Sequence, residues 1–85
     1  MPRQIADVGY DRVRVGVLLR ERRLAESFTQ AEVAWHSGIT QAALSNYENG
    51  KRDVPLPALL AICRVLEIYP AQLIPTLAAP VDGEG

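Results

Sequence analysis

Apolar residues recur three and four apart through successive stretches of this chain, and caps and turn residues divide the pattern into five helices. The first is expected from about Tyr10, with Asp11 as its cap, to Glu26, on an inner stripe of Val15, Gly16, Leu19, Arg23 and Leu24. Gly16 is costly inside a helix, which implies that another helix passes close by at that point. Val13, Val17 and Leu18 fall off the stripe, where they either cover an N-terminal arm or form a subunit contact. Ser27 ends the helix, and Phe28 stands where a hydrophobic staple onto Val33 would fix the direction of the next one.

The stretch FTQAEVAWHSGITQAALSNYENGKR, Phe28 to Arg52, reads as two short helices joined by a tight turn. Thr29 and Glu32 form an S/T-x-x-E capping box, in which each side chain satisfies a backbone donor left open at a helix start. Gly38 supplies the left-handed residue that ends this second helix, and Thr40 caps a third almost at once. The short interval between caps predicts a sharp bend. Val33, Ala34, Ile39, Leu44 and Tyr47 fall where the inner faces of the two helices meet, and Ala34 is small where a close crossing demands it. Short polar residues face outward on the third helix: Gln41, Ala42, Ser45 and Asn46. Gly50 closes that helix and Lys51 and Arg52 follow directly. An exposed helix that carries amides and is bracketed by backbone donors and cations has the shape of a device for entering the major groove of DNA.

Beyond the loop KRDVP a fourth helix is expected, with Pro57 tolerated in its first turn and Leu56, Leu59, Leu60, Ile62, Cys63 and Leu66 forming a broad apolar surface. It should be the most buried of the set. Tyr69 and Pro70 start a short fifth helix to about Ile74, with Leu73 and Ile74 inward, and Pro75 stops it. The expected organisation is a flexible arm at 1–9, a compact all-α five-helix domain at 10–75 and a frayed tail at 76–85.

Composition adds limits. A chain of 85 residues has room for one marginally stable domain, and its 48% hydrophobic content is enough for a core. There is no run approaching a membrane span, and Met-Pro-Arg-Gln lacks the apolar core of a signal peptide, so a cytoplasmic location is expected. Cys63 is the only cysteine, which excludes an internal disulfide or a cysteine zinc site and leaves a small core residue. The formal charge of -1 argues against strong non-specific binding to nucleic acid. Between residues 11 and 75 eight Lys/Arg meet seven Asp/Glu, so affinity has to come from placed contacts, from dimerisation, or from both.

The chain resembles the lambda-repressor-like helix-turn-helix domains, the Cro or XRE type of bacterial and phage transcriptional regulators. The likeness runs from about Val15 to Ile74 and is carried by VGVLLRERR, FTQAEVA, SNYENGKR and LLAICRVLEIYPAQLI. It implies that Gln30, first in the second helix, contacts phosphate, and that Gln41, Ala42, Ser45 and Asn46 face base edges. It also implies an ion pair between Arg23 and Glu48, joining the first helix to the third. Trp35 departs from the pattern, since it takes an outward position that is usually polar, and so does Val54-Pro55 where a single proline is common.

Each of these residues has a plainer alternative. Gln41 and Asn46 can pair bidentately with adenine, or merely solvate an exposed helix. Ala42 can touch a thymine methyl or serve as a good helix former. Asn49, Lys51 and Arg52 are either phosphate ligands or an ordinary loop. His36 reads as a surface residue without a second histidine to share a metal. Trp35 can cover the arm, meet a partner or lie on the DNA backbone.

Without a glycine-rich phosphate loop, a metal-ligand cluster or a nucleophile-base arrangement, an enzyme is not expected, nor a cofactor or a small-molecule ligand. Two functions remain. One is a sequence-specific regulator of double-stranded DNA, acting as a homodimer on a palindromic operator. The other is a protein-interaction module that keeps the fold without reading bases. The dimer surface is expected at Leu77 and the edge of the fifth helix near Leu73 and Ile74, with Val13 and Val17 beside the arm as second choice.

Overall fold

A computed structural model describes residues 9–78. Helix α1, Arg12–Ala25, starts where the Asp11 carboxylate accepts the backbone N–H groups of Val13 at 3.0 Å and Arg14 at 3.2 Å. It ends at Ala25 with Glu26 as its cap, and Ser27 then takes a left-handed φ of 63° so that Phe28 N–H can donate to Arg23 O at 3.0 Å. Helix α2, Gln30–Ser37, has both halves of its capping box: Glu32 N–H donates to Thr29 Oγ1 at 3.0 Å and Thr29 N–H to Glu32 Oε1 at 2.8 Å. Gly38 turns the chain at φ 74°, and the Thr40 hydroxyl caps α3, Gln41–Glu48, by accepting Ala43 N–H.

The remaining elements are α4, Leu56–Leu66, the single turn α5, Pro70–Leu73, and a 3₁₀ turn, Pro75–Ala78. No strand occurs among the described residues. Helix α1 packs on α3, α2 packs on both α3 and α4, and α5 closes one end against α1 and α4. The core is Val15 and Leu19 of α1, Val33 and Ala34 of α2, Leu44 and Tyr47 of α3, Val54 of the loop, Ala58, Leu59, Ile62, Cys63 and Leu66 of α4, and Leu73 of α5. Burial of such side chains, at about 1.5 to 3 kcal/mol each, is the main force holding the helices together.

The crossing of α1 on α3 rests on Gly16. A Cβ at that position would lie 2.6 Å from the carbonyl oxygen of Glu48 and nearer still to that of Tyr47, closer than any real Cβ sits. The missing side chain is thus what lets the end of α3 lie directly on α1.

Four expectations change. Leu24 is 53% exposed, because it lies about one hundred degrees round the helix from Arg23 and faces solvent. Leu56, 61% exposed, and Leu60 sit on the outer edge of α4, although that helix still contributes more buried residues than any other. Ile74 is only half-buried, beyond the last turn of α5. Pro75 follows the end of α5 as expected, but residues 76–78, expected in the frayed tail, form the 3₁₀ turn that this proline opens, since a first helical residue needs no N–H donor.

The arm residues 1–8 and the tail residues 79–85 lie outside the described part. At its edge, a Cβ on Gly9 would come 2.6 Å from Thr76 Oγ1, so the two ends of the domain are neighbours. The Tyr10 hydroxyl accepts Val54 N–H at 2.9 Å and ties the start of the domain to the loop before α4.

Candidate nucleic-acid interface

Helix α3 buries Leu44, Tyr47 and Glu48 and turns the opposite arc outward. Gln41 and Ala42 are exposed there, and Ser45 and Asn46 are half-buried. All four lie on one side of the helix within roughly 140 degrees of arc. At the far end Asn49 is exposed and its Nδ2 donates to Ser45 Oγ at 3.4 Å, a long contact that weakly orders the last turn.

Gly50, at φ 69°, lets Lys51 N–H donate back to Asn46 O at 2.9 Å, which projects the next residues away from the helix end. Lys51 and Arg52 are exposed, and neither has an ion-pair partner among the described residues. A third cation joins them. A Cβ on Gly50 would approach Val13 Cγ2 to 3.0 Å, so the start of α1 lies on this loop, and Arg12 reaches Asp53 at 3.9 Å. Arg12 was not singled out by sequence reasoning, because only the packing of α1 on the end of α3 brings it here.

Behind this surface Arg23 and Glu48 form a buried pair. Arg23 Nε donates to Glu48 Oε2 at 2.6 Å and Nη2 to Oε1 at 2.9 Å, a forked geometry that satisfies both groups. Those hydrogen bonds hold the guanidinium pKa above its ordinary value, against the opposing effect of burial. Gln30, half-buried at the first position of α2, donates its side-chain Nε2 to the same Oε1 at 3.0 Å. Its amide is therefore partly engaged, which the resemblance did not imply.

Trp35 stands 81% exposed on α2. His36 is exposed beside it, on the rim of a groove with Phe28, Ala61, Arg64 and Val65. Among the described residues no group of His, Cys, Asp or Glu could hold a metal, and no helix is long and apolar enough to cross a membrane.

Two short helices fixed at a sharp turn, the second presenting short, mainly polar side chains beside exposed cations, define a helix-turn-helix domain. The chain belongs to the helix-turn-helix domain family, which matches residues 14–77. Its fold is that of the lambda-repressor-like regulators, as the solved relatives below indicate.

Among sequence relatives, the HTH-type transcriptional repressor RghR of Bacillus subtilis is 42% identical over 45 residues, covering 53% of this chain and 33% of the relative. The transcriptional regulator RghRB of the same organism is 47% identical over 45 residues, covering 53% and 32%. The chain thus spans about a third of the length of these curated relatives.

Among solved structures, the restriction-modification controller protein C.AhdI of Aeromonas hydrophila is 34% identical with a TM-score of 0.71, covering 75% of this chain and 97% of the other. The P22 c2 repressor, solved with a synthetic operator, is 27% identical with a TM-score of 0.68, covering 71% and 91%.

Proposed function

We propose that this chain binds double-stranded DNA as a transcriptional regulator and reads the major groove with α3. The observation that carries the reading is the outward arc of Gln41, Ala42, Ser45 and Asn46 on a helix whose other side is locked into the core. In this reading Gln41 and Asn46 pair with base edges, Ser45 donates or accepts, and Ala42 meets a thymine methyl. Asn49, Lys51 and Arg52 contact phosphates past the end of α3, joined by Arg12, while Gln30 contacts phosphate at the start of α2. The P22 c2 relative, solved with an operator, supports the same assignment for the fold.

The near-neutral charge makes one copy a weak binder, so the working unit is a homodimer whose two α3 helices enter half-sites about 34 Å apart. Leu77, 55% exposed, and the exposed Val13 and Val17 are apolar surfaces available for that contact. Leu73 is withdrawn from that surface, because it is buried in the core. The domain limits at 10–75 follow the same reading, with Gly9 and Thr76 marking its edge.

Trp35 favours a second reading, in which the chain keeps the fold and docks another protein through α2. The test is duplex selection from random sequence, followed by anisotropy with the parent and with Asn46→Ala. Enrichment of a palindrome and a selective loss in the variant support DNA readout. No enrichment would move the Trp35 reading ahead.

A further inference from the structure

Glu48 is a buried carboxylate that receives three hydrogen bonds from two other helices: two from Arg23 of α1 and one, at 3.0 Å, from Gln30 of α2. Arg23 gives its remaining Nη1 to Phe28 O at 2.9 Å, on the segment that leads into α2. One closed network therefore links the end of α1, the approach to α2, the first residue of α2 and the last of α3.

The orientation of the Gln30 amide follows from charge. Glu48 presents only acceptors, so the NH₂ of Gln30 must face it and the amide oxygen cannot. An NH₂ carries two protons, and Oε1 takes one. The second is directed away from the carboxylate, at the N-terminus of α2, where first-turn backbone N–H groups lack helical partners and the helix dipole is positive. A lone carboxylate at this place would repel a phosphate; the Arg23 guanidinium cancels that charge.

We propose that Arg23 and Glu48, without touching DNA themselves, are positioning residues for Gln30, holding its amide at the start of α2 with one proton free for a phosphate oxygen. The inference rests on the DNA-binding reading above. It assigns the ion pair a part in affinity as well as in folding, and it makes the phosphate contact depend on the packing of α1 against α3.

The test uses Arg23→Met combined with Glu48→Met, a change that replaces a buried pair by apolar side chains of similar volume and leaves Gln30 without its acceptor. Binding to a fluorescent random-sequence duplex is measured at low salt, because a phosphate contact is independent of sequence. The paired variant and Gln30→Ala should each bind about three- to tenfold more weakly, the worth of one hydrogen bond, and the triple variant no more weakly than either.

In the free protein the two Gln30 side-chain amide protons should be well separated by NMR, and should move toward the positions of an exposed amide in the paired variant. Arg23→Leu combined with Glu48→Leu, a second apolar pair that also leaves Gln30 without its acceptor, enters the same cycle if the paired Met variant melts below the assay temperature. Unchanged affinity in the paired variant, or losses that multiply in the triple one, overturns the positioning role. A parent that binds no duplex overturns the DNA reading and the phosphate role with it, while the amide resonances still report whether the network holds Gln30.

Discussion

The Glu48 side chain is 1% exposed and that of Arg23 9%, so removing either leaves the other charge buried without an opposite. Glu48→Ala should cost about 3 to 5 kcal/mol of stability, whereas Arg23→Met with Glu48→Met should be near neutral. Urea midpoints that agree for all three proteins would show the pair to be exposed in solution. Cys63 offers a second titration. Burial raises its thiol pKa, so the folded state favours the protonated form more than the unfolded state does. Its contribution is complete below the unfolded thiol pKa of about 8.5 and is lost as pH rises through the higher folded value. Alkaline stability curves should therefore fall more steeply for the parent than for Cys63→Ala, and parallel curves would remove the thiol as the cause. At this scale the sequence showed Arg23 and Glu48 only through family likeness, because nothing local pairs residues on separate helices. Arg12 and the tether on Gln30 stayed hidden for the same reason.

Caps were the most legible elements, since Asp11, Thr29 with Glu32, Gly38 and Thr40 act on neighbours within a turn. Faces were less so: Leu24, Leu56 and Leu60 are apolar at helical spacing, yet whether a stripe is covered depends on which helices lie beside it. Pro75 is legible as the stop of α5, because proline breaks a helix, but not as the start of the 3₁₀ turn, which the same ring equally suits. Two helix ends carry strain that sequence did not reveal. Ser27 at the end of α1 and Glu67 after α4 hold φ of 63° and 57°, a region where a side chain costs roughly 1 kcal/mol and glycine costs nothing. Ser27→Gly and Glu67→Gly should each stabilise by about 0.5 kcal/mol, the remainder being offset by the freer unfolded chain. Thermal midpoints should rise by about 2 to 4 °C per change in a domain of this size. A fall in both would mean that the side chains contribute contacts worth more than the strain.

For the whole molecule, the proposed homodimer carries one expectation: self-association and DNA affinity should fail together. Leu77→Asp should shift sedimentation toward monomer and halve the slope of log affinity against log salt, since half the phosphate contacts are lost. If Leu77→Asp changes neither, Val17→Asp is the next variant, and a parent that is monomeric at every concentration removes the dimer altogether. The Gly16 crossing sorts the positions of the chain by what each will tolerate. A methyl group there has to push α3 off α1, so Gly16→Ala should lose about 1 to 3 kcal/mol despite the better helix former. The four outward positions of α3 carry no comparable helix crossing; Ser45 only accepts a long hydrogen bond from Asn49, so their side chains can be exchanged at small cost to the frame. If α3 reads DNA as proposed, descendants of such a sequence can drift to new operators through Gln41, Ala42, Ser45 and Asn46 while the glycine stays in place, keeping old scaffolding under a vocabulary that changes.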